Sequence, residues 1–379
     1  MTQSKGADTL FPSDLIARLP AFKPPESTWL VWLLKSGDAA ASRLKRQMEL
    51  WYSHYPEHKR HDLRARLQDR NPRQHVAAFF ELVMHEWCRE RWGLPLVEEP
   101  SEPGQSRPDF RVPAASRFYL EVATVFRSAA DEAQEQRSRE VTKVVSDLAL
   151  AFPVALWFRR AIGTAVDLPR FKETLLHWSM SEAPRRPRTP LRHEDEGLDV
   201  EIEALPGTLA VLGPVPCVLL PVQGRSGWEQ ARNRILDKVD QFRNAKAEGP
   251  YVVAVCHSAG PGTTEHLIEW DLYGRDQLVF SKSDPGAPMQ YLRDRSGLLT
   301  PKRNGIHNTS ISAVILCNRA WHDEELRYSL TVFHNPFAQH RLFRSTFSGL
   351  RQRIAVRHRD GSISMKWINK TAPPILLEG

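Results

Sequence analysis

Apolar residues recur at helical spacing up to about residue 93, and short apolar or alternating runs become frequent after it. The helical spacing predicts helices at 29–35, 39–55 and 62–68, and from Pro72 to Trp92 with Gly93 ending the last one. Further helices are predicted at 128–151, 168–180 and 228–247, and strands at 94–97, 109–112, 118–126, 153–158, 199–204, 215–222, 251–257, 311–317 and 328–333. Strands separated by helices predict an α/β fold.

Two of these strands flank a five-residue turn, 113–117, and predict a β-hairpin whose register can be derived. With the turn centred near residue 115, the numbers of paired residues sum to about 230, which sets Asp109 opposite Glu121. Two facing carboxylates repel each other unless one is protonated or a cation lies between them. In proteins this repulsion is usually relieved by a divalent cation that prefers oxygen ligands, so the hairpin predicts a metal site.

A third acid lies in the helix before this hairpin. Glu81 is surrounded at helical spacing by Ala77, Phe80, Met84 and Trp87, and a charged side chain in such a position usually has a partner or a function. Each acid alone has an ordinary structural interpretation, as a turn residue, a buried salt-bridge partner or an outward strand residue. Their combination on consecutive elements is what favours a functional site.

These residues resemble the PD-(D/E)XK nuclease superfamily, which has the restriction-endonuclease-like fold. Pro108-Asp109 and the run from Glu121 to Ala123 match the short motif of that superfamily, and Glu81 lies on the preceding helix as the pattern requires. The sequence departs from the pattern at Ala123, where the superfamily has a lysine. The resemblance implies a four-stranded mixed sheet with two helices, which the helix 128–151 and the strand 153–158 are expected to complete.

The resemblance also implies the site residues. Asp109 and Glu121, with the backbone carbonyl of Val122, are expected to bind Mg²⁺ or Mn²⁺, and Glu81 is expected to position a second metal ion or the attacking water. The motif lysine normally orients and deprotonates that water, and related enzymes can supply it from an adjacent helix.

Two lysines on neighbouring helices are therefore candidates to replace the residue missing at Ala123. Lys143 lies on the helix after the hairpin, and Lys238 lies among apolar residues just before the buried strand 251–257, which slightly favours Lys238. His85, one turn after Glu81, could face the same site, although a histidine satisfied within its helix is the favoured interpretation.

The chain is expected to form one elaborated domain. Residues 1–75 are interpreted as an N-terminal helical extension, 76–260 as the nuclease-like core with an insertion near 160–215, and 261–379 as a β-rich C-terminal elaboration. The extension could pack on the core or form a small domain of its own. Within these parts, 183–197 is predicted to be an exposed Pro-rich loop and 270–310 to be irregular.

The last predicted element is a basic hairpin. Asp360-Gly361 is a strong turn signal within 351–368. The flanking runs contain five basic residues, Arg351, Arg353, Arg357, Arg359 and Lys366. A ribbon that binds a nucleic-acid backbone and an edge hairpin protected by charge explain these residues equally well.

Composition adds a preference for partners. A net charge of +7 and a pI near 9.3 favour a polyanionic partner. No apolar run approaches the ~18 residues of a membrane helix, and no signal-peptide core is visible, so no membrane association and a cytoplasmic location are expected. The four cysteines are scattered singly, which favours reduced thiols.

The sequence thus predicts a metal-dependent nuclease that hydrolyses phosphodiester bonds in DNA, with a homodimer compatible with the resemblance. Two alternatives stay open. One is a catalytically inactive nuclease-fold module that binds nucleic acid or a protein partner. The other is a structural or assembly protein whose acids form ordinary salt bridges.

Overall fold

The computed structural model describes most of the chain in separate stretches. The described residues are 9–23, 28–93, 96–97, 107–114, 117–126, 129–148, 150, 152, 154–181, 189–204, 217–220, 226–244, 249–257, 265–279, 290–302, 305–322, 325–357, 363–373 and 375.

Most helices lie where the apolar periodicity predicts them, but the helix predicted at 62–68 begins earlier, at Glu57, and a helix that was not predicted forms at Glu265–Tyr273. The helices are α1 (Ser13–Arg18), α2 (Trp29–Lys35), α3 (Ala39–His54), α4 (Glu57–Leu67), α5 (Pro72–Trp92), α6 (Ala129–Asp147), α7 (Leu168–Met180), α8 (Ser226–Asn244) and α9 (Glu265–Tyr273). Local capping explains several ends: the Asp38 carboxylate accepts from the Ala40 N–H at the start of α3, and Gly93 ends α5 with a φ of 88°.

The strands range in length from 2 to 12 residues. They are β1 (Leu96–Val97), β2 (Phe110–Val112), β3 (Phe118–Val125), β4 (Val154–Phe158), β5 (Leu191–Glu194), β6 (Asp199–Ala204), β7 (Cys217–Leu220), β8 (Tyr251–His257), β9 (Asp276–Val279), β10 (Gln290–Arg293), β11 (Pro301–Lys302), β12 (Gly305–Ile306), β13 (Ile311–His322), β14 (Glu325–His334), β15 (Arg351–Arg357) and β16 (Ile363–Ile368).

The chain folds into two compact units. The first unit comprises Met1–Phe126 and Gln230–Gly379, and the second comprises Arg127–Glu229. The second unit is thus an insertion that directly follows the β2–β3 hairpin and ends within α8.

The first unit is organised around an eight-stranded mixed sheet with the order β1-β2-β3-β8-β13-β14-β15-β16. Neighbouring strands run parallel at β3–β8, β8–β13 and β14–β15 and antiparallel elsewhere. One large apolar cluster joins the sheet to the N-terminal helices, including Trp51 of α3, Leu63 of α4 and Phe80 of α5. The N-terminal helices therefore pack on the core and do not form a separate domain.

Strand β4 corrects an expectation about the core. It forms where the sequence predicted it, but it pairs with β6 and β7 in the four-stranded sheet of the second unit, with the order β5-β6-β4-β7. The strand that joins the hairpin in the main sheet is β8, and α8 precedes it. The helix and strand directly after the hairpin thus do not complete the main sheet, because they pack in their own apolar cluster with α7.

Two regions expected to lack regular structure contain some. Residues 191–194, predicted to belong to a loop, form β5, because His193 is buried against Phe171 while Arg192 and Glu194 face outward. Residues 270–310 include part of α9 and the short hairpins β9–β10 and β11–β12. Cys88, Cys256 and Cys317 are buried free thiols, as expected. Within the described stretches, no helix has both the length and the apolarity needed to cross a membrane.

Candidate active site

The β2–β3 hairpin has the predicted register. Phe110 pairs with Leu120 and Val112 pairs with Phe118, which leaves Asp109 and Glu121 as the next facing residues. The Asp109 N–H donates to Glu121 Oε2 at 3.2 Å, and the Val122 N–H donates to Asp109 Oδ2 at 2.7 Å. The two acids therefore lie side by side, held by the backbone of the hairpin itself.

Alternation along the strands determines which way the acids face. Phe110, Leu120 and Val122 belong to the apolar cluster shared with the N-terminal helices. Glu121 lies between Leu120 and Val122, so its side chain points to the opposite face of the sheet. It is nonetheless buried, with 5% of its surface exposed.

Helix α8 brings a lysine to this carboxylate. Ile235, Val239 and Phe242 are buried, and Lys238 reaches Glu121 Oε1 with its ammonium group. The Tyr251 hydroxyl of β8 donates to the Lys238 carbonyl at 2.9 Å, which ties the helix to the strand beside β3. Of the two candidate lysines, Lys238 thus contacts the hairpin acids. Lys143 lies exposed on α6 in the second unit, and the site is built from residues of the first unit.

Glu81 receives two partners that sequence reasoning did not identify. The Tyr55 hydroxyl donates to Glu81 Oε1 at 2.5 Å, and Arg66 donates to Oε2 at 2.6 Å and to Oε1 at 3.1 Å. Arg66 lies three residues after buried Leu63, on the same side of α4, and that spacing was the available signal. We call Tyr55, Arg66, Glu81, Asp109, Glu121 and Lys238 the acidic site.

The three carboxylates influence one another electrostatically. Burial raises the pKa of Asp109 well above its usual value, and the charges of Glu121 and Glu81 raise it further. Burial also raises the pKa of Glu121, although the ammonium of Lys238 opposes this. Burial would lower the pKa of Lys238, but the charges of Glu121 and Asp109 outweigh it and the pKa is raised. Lys238 is therefore a cation at neutral pH.

Charge is compensated unequally within the acidic site. Lys238 pairs with Glu121 and Arg66 pairs with Glu81, whereas the described hydrogen bond to the Asp109 carboxylate comes from a backbone N–H. Three carboxylates and two cations leave an excess of one negative charge when all are ionised. Asp109 is the acid on which that excess falls.

The donor set fits a divalent cation with oxygen ligands. The described residues contain no group of three or more His, Cys, Asp or Glu side chains arranged to hold a metal ion, since Glu81 is turned to Tyr55 and Arg66. Magnesium, however, needs only one or two protein carboxylates, because it keeps several waters. Asp109 and Glu121 supply two facing carboxylates whose repulsion a cation would relieve.

His85 lies close to the acidic site without taking part in it. Its ring packs against Tyr55 and Phe110, with ring centroids 4.8 Å and 5.8 Å away. It is fully buried, and neither ring nitrogen has a hydrogen-bond partner among the described residues. Burial lowers the pKa of His85 to about 4, so the ring is neutral at pH 7. His85 was expected to be hydrogen-bonded within its helix, and among the described residues it is not.

The basic C-terminal hairpin has two of its arginines engaged within the protein. Arg353 donates to Glu269 at 2.6 and 2.7 Å and lies over the ring of Trp367, and Arg351 donates to Glu265 at 2.6 Å. Arg293 also pairs with Glu269. We call Glu265, Glu269, Arg293, Arg351 and Arg353 the arginine network. Its contacts favour the structural interpretation of Arg351 and Arg353.

Comparisons with known protein families, with curated proteins and with solved structures produced no match for this chain.

Proposed function

We propose that this protein is a metal-dependent nuclease that hydrolyses phosphodiester bonds in DNA, with a core like that of the PD-(D/E)XK superfamily. The order of elements supports this: α5, β1, β2, β3, α8 and β8 follow the helix, three strands, helix and strand that the resemblance implies. The net charge of +7 supports a nucleic-acid partner, because phosphate contacts dominate such binding.

The single observation that carries the proposal is the contact between Lys238 and Glu121. The motif lacks its lysine at Ala123, and an ammonium group from α8 reaches the adjacent carboxylate of the same strand. Two facing acids with a lysine beside them are the set of groups that metal-dependent phosphodiester hydrolysis requires. A salt bridge of purely structural purpose would account for Lys238 and Glu121 but not for the acid that faces them.

Each residue has a defined task in this proposal. Asp109 and Glu121, with the carbonyl of Val122, hold a divalent cation such as Mg²⁺ or Mn²⁺. When bound, that cation would lower the pKa of the attacking water and neutralise charge that develops on the phosphate. Lys238, being charged, acts as a hydrogen-bond donor that orients the water or a phosphate oxygen, and it does not act as the base.

The test is cleavage by the purified full-length chain with Mg²⁺ or Mn²⁺. Supercoiled plasmid, linear duplex, single-stranded DNA and RNA of matching sequence would be compared, with gel analysis of the products. Asp109→Ala and Glu121→Ala are expected to abolish cleavage. Lys238→Met is expected to reduce the rate by about a hundredfold or more, the scale of one positioned catalytic group.

The matched control is Arg234→Met. Arg234 lies one turn before Lys238 on α8, is 54% exposed and pairs with Asp237, so its loss removes the same charge away from the acids. Cleavage that survives both acid substitutions would refute the proposal. An equal loss in Lys143→Met would move the lysine role to α6. DNA binding with metal-dependent melting but no cleavage would instead indicate an inactive nuclease-fold binding module.

A further inference from the structure

Glu81 is already bound by the protein on both of its carboxylate oxygens. Tyr55, the residue just after α3, and Arg66 of α4 donate to it, and the side chains of Arg66 and Glu81 are only 29% and 13% exposed. Bidentate arginine–carboxylate pairs are among the strongest charge-assisted hydrogen bonds in proteins. A metal ion would therefore have to break this pair in order to use Glu81 as a ligand.

Arg66 is itself fixed on its other side. Its Nε donates to Asp62 at 3.0 Å, one turn earlier on α4, and the Asp62 side chain is 66% exposed. The guanidinium thus lies between two carboxylates, which makes it a poor ligand for a substrate phosphate. Its position instead makes it a fixed positive charge within the acidic site.

We propose that Arg66 and Tyr55 keep Glu81 as an internal ion pair, so that the positive charge of Arg66 limits the affinity of the acidic site for a divalent cation. This inference rests on the metal site of the proposed function. Tyr55 and Arg66 are positioning residues, since they act through Glu81. Helix α4 and the residue that ends α3 are consequently part of the site and not only a support for the core.

The proposal predicts the direction of each substitution effect on metal affinity. Arg66→Gln removes a positive charge and releases Glu81, so Mn²⁺ is expected to bind at least about tenfold more tightly. Arg66→Lys keeps the charge and is expected to bind Mn²⁺ as the unsubstituted protein does. Glu81→Gln added to Arg66→Gln is expected to cancel the gain, because the released carboxylate is then absent.

The measurement is calorimetric titration of Mn²⁺ into the full chain without DNA. Arg70→Gln is the matched control, since Arg70 is an exposed residue just after α4 and its loss removes the same charge. If Arg66→Gln does not fold, Asp62→Asn tests the same idea from the exposed side. Asp62→Asn removes one of the two negative charges beside the Arg66 guanidinium, so the positive charge of Arg66 acts more strongly on the site. Mn²⁺ binding is therefore expected to weaken about twofold.

Unchanged or weaker Mn²⁺ binding in Arg66→Gln overturns the inference, as does tighter binding in Asp62→Asn. If the unsubstituted protein cleaves DNA with Mn²⁺ while Arg66→Gln binds no more tightly, the inference fails and the proposed function stands. If neither protein binds Mn²⁺ and nothing is cleaved, both fail. Mn²⁺ binding by Arg66→Gln alone supports the inference that Arg66 opposes metal binding. It also shows that the unsubstituted protein does not bind Mn²⁺ by itself.

Discussion

The acidic site and the arginine network both bury carboxylates against the same sheet, but they compensate charge in different ways. In the arginine network, Glu265 and Glu269 are matched by Arg293, Arg351 and Arg353. In the acidic site, Glu81 and Glu121 are each paired with a cation, whereas the described hydrogen bond to the Asp109 carboxylate comes from a backbone N–H, and burial raises the pKa of Asp109 and of Glu121.

This difference separates a structural cluster from the cluster that we propose to be functional. A buried acid with its own arginine contributes to a fixed arrangement and gains nothing from another cation. A buried acid that faces a second carboxylate costs folding free energy until a cation arrives, and strongly perturbed groups of this kind concentrate at functional sites.

The largest effect is expected in the arginine network. Glu269→Gln leaves Arg353, whose side chain is only 14% exposed, without its charge partner. It leaves Arg293, which is 12% exposed, paired only with Asp276, whose side chain is 45% exposed. Breaking a buried pair from one side typically costs about 3–5 kcal/mol of unfolding free energy. Urea titration followed by tryptophan fluorescence would measure it. A loss below about 1 kcal/mol would mean that the network is not structural.

The next effect concerns His85, the unpaired ring beside the acidic site. Its pKa is lowered to about 4, so below pH 6.5 the unfolded chain binds a proton that the folded chain does not. Stability is therefore full above pH 6.5 and falls as the pH drops towards 4, by up to about 3 kcal/mol for this group. His85→Phe is expected to flatten that slope in urea titrations at pH 7 and pH 5.

His75 supplies the internal comparison for that experiment. Burial lowers the pKa of His75 to about 4 as well, so the variant keeps part of the slope. An unchanged slope in His85→Phe would show that His85 does not contribute to it.

Substitution of Asp109 is expected to stabilise the protein, in contrast to substitution of Glu269. Because its folded-state pKa is raised by burial, Glu121 and Glu81, the folded chain retains a proton that the unfolded chain releases as the pH rises above about 3.8. Ionised Asp109 thus costs stability, and Asp109→Asn is expected to raise the unfolding free energy of the metal-free protein by roughly 1 kcal/mol at pH 7. The gain should shrink at low pH. A clear loss at both pH values would make Asp109 a structural acid.

The smallest effect is expected at Glu265. It pairs with Arg351 and accepts from Thr331, but both charged side chains are more than a fifth exposed. Glu265→Gln should therefore cost only about 0.5–1 kcal/mol in the same urea titration. A cost equal to that of Glu269→Gln would show that exposure does not weaken this pair.

The local pattern of apolar and polar residues was sufficient to predict the helix and the hairpin that carry the three acids. The run from Pro72 to Trp92 has helical apolar spacing and a terminal glycine, and it forms α5 at those bounds. The hairpin register followed from turn length and alternation, so the approach of Asp109 to Glu121 was predictable. These features depend on neighbours within about a dozen residues along the chain.

Long-range placement was not predictable in the same way. Apolar patterning predicts β4 and β8 equally as buried strands, but it carries no information on which of them pairs with β3. The choice depends on which helix can cover the sheet face that carries Glu121. That helix is α8, more than a hundred residues later in the sequence.

The amino-acid sequence by itself determined the three acids, the hairpin that pairs two of them, and the absence of a lysine at Ala123. Only the tertiary structure decided that Lys238 meets Glu121 and that Tyr55 and Arg66 take hold of Glu81. The physical reason is that hydrophobic periodicity specifies which face of an element is buried, whereas contacts between charged groups depend on which buried faces pack together.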